Sequence, residues 1–329
     1  MKAFVLRSYG SPLRMAEIDK PVPGDDEVLV RVRATSVQPY DWHFMRGQPY
    51  IARLMGGGLG LREPAFAVLG ADVAGHVEAV GRNVTEFRPG DEVFAMPKQG
   101  GFAEYALVAA AEAAPKPKNL TFEQAAAVPL AAGTALLALR DQGRVQPGQR
   151  VLVNGASGGV GTFAVQLAKA FGAEVTGVCG ARNVDLVRSI GADEVIDYAK
   201  EDFTRTGRRH DLLIDIAGSR SGTACRRALT RSGTHVLVGG PSSRWLQPAG
   251  HVFATLAASV FAAQRTVLTD VVRCTTTRRN LMTLTELIED GRVTPVIDRT
   301  YPFEEIPAAI AYQEAGHATG KVVIEGPPQ

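Results

Sequence analysis

The chain has 329 residues, 45% hydrophobic and 21% charged, the make-up of an ordinary soluble globular protein long enough for two domains. Thirty-six basic against 34 acidic residues leave a formal charge of +2, which offers no broad basic field to nucleic acid or an anionic membrane. Cys179, Cys225 and Cys274 lie far apart in no ligand spacing, which fits a reducing compartment and argues against a disulfide framework.

The first residues, MKAFVLRSYG, hold too short an apolar stretch for a signal peptide and read as a strand. Residues 1–120 are β-rich. In Glu27–Arg33 the side chains of Val28, Val30 and Val32 alternate with Leu29, Arg31 and Arg33, the pattern of a half-buried strand. Turn signals recur at Pro23-Gly24-Asp25, Arg88-Pro89-Gly90-Asp91 and Pro115–Pro117, as in a barrel-like β domain. The glycine-rich run 54–64 reads either as a lid over a ligand or as a plain surface connection. At Thr121 and Gln124 a capping box opens an alanine-rich helical stretch, interrupted at Pro129 and running on to Gly143. Neither Ala125–Leu139, broken by Pro129 and Gly133, nor the short Val252–Ala263 should cross a bilayer, which needs about 20 apolar residues. Cytoplasm is the expected location.

Residues 151–172 organise the rest. Val151–Val153 read as a buried strand, Gly155, Gly158 and Gly161 as a turn, and Phe163, Leu167, Ala170 and Phe171 as a helix face that Gly172 stops. Such a turn, Gly155-Ala156-Ser157-Gly158-Gly159-Val160-Gly161, brings main-chain N–H groups and a helix N-terminus up to a phosphate. Its spacing is GxxGxxG rather than GxGxxG, and a glycine turn that binds nothing is the alternative. Strands at Glu174–Val178, Glu194–Asp197, Asp211–Ile216 and Thr234–Val238 then alternate with helices, which predicts a parallel sheet covered on both faces. Gly218, Gly239 and Gly240 close two of those strands, either as ordinary turn residues or where a flat ligand approaches. Val267–Thr277 reads as a further strand, able to pair across a two-fold axis into a homodimer. The tail from about Val296 returns to the first domain and ends in the strand Lys321–Glu325.

After the second strand of this unit, near Val178-Cys179-Gly180, an NAD site needs an acid to hold the ribose 2′-hydroxyl. Ala181-Arg182-Asn183 stands there instead. A guanidinium suits a 2′-phosphate, so NADP(H) is expected over NAD(H), unless Arg182 is only a solvated helix-start residue.

Five stretches carry a resemblance: Val37–Gly47 (VQPYDWHFMRG), Gly70–Gly81 (GADVAGHVEAVG), Ala132–Leu136 (AGTAL), Asn154–Gly161 (NGASGGVG) and Gly320-Lys321-Val322-Val323. The chain resembles the medium-chain dehydrogenase/reductase superfamily, within it the zinc-free quinone oxidoreductase branch similar to zeta-crystallin. The resemblance implies an α/β protein with a GroES-like β domain (1–122, completed by 296–329) and a Rossmann doubly wound parallel-sheet domain (123–295), with NADPH held in a cleft. It implies a homodimer and a small-molecule substrate, with no nucleic acid or membrane as partner. Zinc alcohol dehydrogenases of the superfamily place Cys, His and Glu where this chain has Gln38, Ala71 and Asp72, so no metal is expected. His43 and His76 are expected to be structural histidines. Many zinc-free members carry Asn where Gln38 stands.

The implied chemistry is hydride transfer from NADPH to a quinone or an α,β-unsaturated carbonyl. Tyr40 is either the donor to the developing oxyanion or a packing residue against the nicotinamide ribose. The implied cofactor residues are Gln38, Thr134, the Gly155–Gly161 turn, Cys179, Arg182, Asn183, Tyr198, Gly218, Gly239 and Gly240. Lys321 either reaches the cofactor or is a surface lysine on a strand. The rival readings are an NADP-dependent alcohol dehydrogenase and a non-enzymatic NADPH-binding structural protein.

Overall fold

A computed structural model spans the chain and describes all residues except 55–58, 241–248, 260–261, 270–276 and 328–329. Two compact units emerge: Met1–Gly133 with Thr275–Asp290 and Pro295–Gln329, and Thr134–Cys274 with Gly291–Thr294.

The first unit is built on the 11-residue strand Glu27–Val37. Val28, Val30 and Val32 are buried as their alternation requires, Leu29 is buried too, and Tyr105–Ala109 and Val73–Val80 both pair with this strand. The sheet runs in the order Ile297–Tyr301, Lys321–Glu325, Glu27–Val37, Val73–Val80, Glu92–Ala95, Ala113–Pro115. Pairing of Val322 with Val37 and of Thr35 with Val73 brings three distant stretches to one end of the sheet. One core packs Phe4, Phe44, Leu69, Phe102, Phe303 and Ile306; a second packs the valines of the central strands. The Thr121 capping box forms, its hydroxyl accepting from Gln124 N, and Pro129 begins a new helix, Pro129–Leu136, where its missing N–H costs nothing.

The second unit is a six-stranded, all-parallel sheet in the order Glu194–Asp197, Glu174–Cys179, Arg150–Asn154, His210–Asp215, Leu229–Leu237, Arg265–Leu268. In sequence order this is 3-2-1-4-5-6, the doubly wound arrangement, and the strand order reverses between Arg150–Asn154 and His210–Asp215. The strand expected over Val267–Thr277 runs Arg265–Leu268, beginning earlier and ending before Thr269; residues 270–276 of that expectation, like residues 55–58 of the 54–64 run, lie outside the described residues. No helix among the described residues is long and apolar enough to cross a membrane.

Candidate active site

Each unit contributes one group of residues with chemical potential. In the second unit the strand Arg150–Asn154 ends in Gly155, whose φ of +93° only glycine holds without strain. The chain then enters the 12-residue helix Gly159–Ala170 with Gly158 at N-cap and no side-chain cap. The three glycines differ in their reasons. A Cβ on Gly161 would lie 2.0 Å from the Gly155 carbonyl oxygen, so Gly161 lets the helix pack on the turn. A Cβ on Gly158 would meet only the Gly155 carbonyl oxygen, at 3.6 Å, so nothing in the protein demands its absence. The opening lies beside uncapped helical N–H groups, the arrangement that receives a phosphate.

Along the same carboxyl edge, the strand Glu174–Cys179 runs into a turn at Ala181–Asn183 that carries the exposed Arg182. Asn183 Nδ2 donates to Ser157 Oγ at 3.0 Å, tying this turn to the glycine loop. Tyr198, 61% exposed, donates its main-chain N–H to Cys179 O at 3.1 Å and lays its phenol against Gly180. Cys179 is buried, and burial pushes its thiol up to about 11, so it is a neutral wall and no nucleophile. Thr134 is 1% exposed, and its hydroxyl oxygen has no hydrogen-bond partner among the described residues. A buried hydroxyl with no internal partner has a hydrogen bond left for a bound group to complete. Gly218 (φ +56°) and Gly239, where a Cβ would lie 2.3 Å from Ile216 O, each have a backbone reason to be glycine. These residues fit a dinucleotide.

The first unit buries a polar group at the end of its sheet. Asp72, 0% exposed, accepts from Ser36 Oγ (2.6 Å), Leu130 N (2.8 Å), Gln38 Nε2 and Lys321 Nζ (3.4 Å). Asp41 caps its own helix, Pro39–Arg46, by accepting from Gln38 N at 2.7 Å, while the Gln38 amide nitrogen donates to Ser36 Oγ and Asp72. Burial, together with the neighbouring Asp72 charge, raises the Asp41 carboxyl to about 7. Burial lowers the Lys321 ammonium from its ordinary range, against the pull of Asp72. Lys321 is 2% exposed, which overturns its alternative reading as a surface lysine. Tyr40 packs its ring on Phe44 (centroids 4.3 Å apart), and burial raises its phenol to about 12.

A zinc ligand set does not fit here. Gln38 offers an amide, Ala71 a methyl group, and both oxygens of Asp72 are already engaged, with the chain's own ammonium beside one of them. His43 is bonded to Gln48 O (3.1 Å) and stacked on Trp42; His76 lies against Glu92 and Phe122. Among the described residues the one grouping of three metal-ligating side chains is Asp215, Cys225 and His235, in the other unit. No spacing in the sequence marks that trio. Its signal is an acid closing a strand with an apolar middle, HDLLID.

A parallel sheet with an open glycine turn at its reversal point is the arrangement of a doubly wound dinucleotide-binding fold. Residues 24–118 match the alcohol dehydrogenase GroES-like domain family and residues 190–324 the zinc-binding dehydrogenase family. A chloroplast envelope quinone oxidoreductase homolog of Arabidopsis thaliana is 32% identical over 99% of this chain and 98% of its own. The 2-methylene-furan-3-one reductase of Solanum lycopersicum is 34% identical over 100% of this chain and 80% of its own. Among solved structures, a mycobacterial protein complexed with NADPH superposes with a TM-score of 0.83 at 27% identity, covering 99% of this chain and 100% of that one. The chain belongs to the medium-chain dehydrogenase/reductase superfamily, in its quinone oxidoreductase branch, and is an oxidoreductase.

Proposed function

We propose that this chain is a zinc-independent, NADPH-dependent reductase of quinones and α,β-unsaturated carbonyl compounds. The observation that carries the reading is the buried Lys321–Asp72 pair: the acid that the resemblance matches to a Glu of the zinc dehydrogenases already faces the chain's own ammonium. Without a Lewis acid, a plain alcohol or carbonyl is hard to polarise. An acceptor already activated by conjugation needs less help. The names of two relatives agree in chemistry, one a quinone oxidoreductase homolog and one a reductase of a methylene-furanone, which is an enone.

When bound, the reduced nicotinamide supplies a hydride. The chain's own residues do the rest. The uncapped helix N-terminus and the opening at Gly158 receive the pyrophosphate. Arg182 pairs with the 2′-phosphate and Tyr198 flanks the adenosine. Thr134 finds in the cofactor the partner its hydroxyl lacks. The Tyr40 phenol, held protonated, donates to the oxygen that gains charge. The reading keeps the expectation of a cytoplasmic homodimer, which cell fractionation and sedimentation check.

The test measures NADPH and NADH oxidation against quinones, enones, aldehydes and simple alcohols, with zinc determined in the same sample. Expected are turnover of a quinone or an enone, no stoichiometric zinc, and a lower KM for NADPH than for NADH. Arg182→Ala should raise the NADPH KM by about 10- to 100-fold, the worth of a charged hydrogen bond, and leave NADH unchanged. Bound zinc with alcohol oxidation would move the chain to the alcohol dehydrogenases. Binding of NADPH with no turnover of any acceptor would leave a structural binding protein.

A further inference from the structure

The buried trio in the second unit sits at the point where the sheet reverses. Asn154 and Asp215 are the last residues of the two strands that part there, and they pair in register. Asp215 is 0% exposed and faces four donors. Its Oδ1 accepts from Asn154 Nδ2 (2.8 Å) and Gly218 N (3.0 Å). Its Oδ2 accepts from His235 Nε2 (3.1 Å) and the Cys225 thiol (3.8 Å). Asn154 is held on its other sides as well: its side-chain Nδ2 donates to Ser219 Oγ at 3.2 Å, and its main-chain carbonyl accepts from Ile216 N and Ala217 N. The next residue is Gly155, the left-handed start of the glycine turn, where a Cβ would lie 3.3 Å from Ala217 N.

We propose that Asp215 is a positioning residue for dinucleotide binding: it locks the glycine turn, through Asn154, to the 216–219 loop, and His235 and Cys225 orient its carboxylate. The inference rests on the cofactor reading above. Its physical basis is that one carboxylate, oriented on one side by two donors from an interior strand and a helix, spends its other oxygen on the strand end that leads into the glycine turn and on the loop after its own strand. The alternative, a metal held by Asp215, Cys225 and His235, is opposed by the surroundings. A metal-bound imidazole donates its second N–H to an acceptor, whereas His235 Nδ1 is buried with no hydrogen-bond partner among the described residues. The proton therefore belongs on Nε2, directed at Asp215. Burial and the Asp215 charge raise the Cys225 thiol, which keeps it a donor.

The experiment titrates NADPH and NADH into the full chain by fluorescence or calorimetry, with amide hydrogen exchange of the 154–158 and 216–219 segments and a melting curve for each variant. Asp215→Asn turns one acceptor into a donor among donors. Expected is a loss of about tenfold or more for both nucleotides by the same factor, with faster exchange in both segments. That equality separates a misplaced turn from loss of Arg182, which affects the phosphorylated nucleotide alone. His235→Gln, which keeps a donor, should bind nearly as wild type, whereas His235→Leu should weaken binding of both. These two variants decide the matter if Asp215→Asn does not fold. A lower melting temperature with unchanged affinities would reduce the trio to a structural role and overturn the proposal, as would stoichiometric metal in the purified protein. Wild-type chain that binds neither nucleotide would bring down the cofactor reading itself.

Discussion

Lys321 Nζ lies 3.4 Å from Asp72 Oδ2, in a pair whose side chains are 2% and 0% exposed. The two residues are 249 positions apart, and only the pairing of Val322 with Val37 and of Val73 with Thr35 brings them together. A charge pair so buried is a poor source of net stability, because desolvation consumes most of the attraction. Its consequence is chemical: the Asp72 carboxylate already faces an ammonium that is covalently part of the chain.

Removing one partner should therefore hurt more than removing both. Lys321→Met strands the Asp72 carboxylate, bonded to Ser36, Gln38 and Leu130 but without a counter-charge, and should cost about 3–5 kcal/mol in urea unfolding. The double variant Asp72→Asn/Lys321→Met should recover most of that loss. A double variant as unstable as the sum of its two single changes would show that the charges are not coupled.

Asp41 gives the fold a pH dependence of definite sign. Its carboxyl is raised by burial from 3.8 to about 7, so between those values the folded chain holds a proton that the unfolded chain has released. Its contribution is complete below pH 3.8 and is lost as pH rises through 7, at most about 4 kcal/mol at 1.36 kcal/mol per unit. Asp41→Asn keeps an oxygen for the Gln38 N–H and removes the titration. The stability of wild type relative to this variant should fall between pH 4 and pH 7.5, read from urea midpoints at each pH. A flat or rising difference would refute the assignment.

The glycine turn, the alternation of Glu27–Arg33 and the Thr121 cap were legible because each is local: a φ requirement, a period of two, a hydroxyl three residues from the N–H that donates to it. The burial of Lys321 was not. KVVIE is compatible with an outward lysine, and only sheet register, set by residues far away, turns it inward. The Asp215 trio was hidden for a related reason, since its members come from a strand, a helix and a second strand. An acid ending a buried strand announces that a donor must be near, but not which one.

Tyr40 is raised to about 12 by burial, with the Asp41 charge adding to it, and so stays a donor throughout the working range of the enzyme. Tyr40→Phe should lower kcat/KM for an enone by about 10- to 100-fold and for a quinone by less, because a quinone disperses the incoming charge better. The wild-type pH–rate profile should show no tyrosine limb below about pH 10. A loss of only twofold with every acceptor would leave Tyr40 as packing on Phe44 and nothing more.

The three glycines of the turn should separate stability from binding. Gly155→Ala forces a side chain onto a φ of +93° and Gly161→Ala drives a Cβ to 2.0 Å from Gly155 O, so both should destabilise the fold, the second by about 1–3 kcal/mol or more. Gly158→Ala is different, because its Cβ would have 3.6 Å to the nearest protein atom. It should cost no more than about 1 kcal/mol, the ordinary penalty for alanine at an N-cap. Its methyl group would instead occupy the space beside the free N–H groups of the helix, and NADPH affinity should fall by about tenfold or more. Urea unfolding and NADPH titration on the three variants check the division. If Gly158→Ala binds NADPH as the wild type does, the phosphate does not sit at this turn, and the pyrophosphate must be sought elsewhere on the carboxyl edge of the sheet.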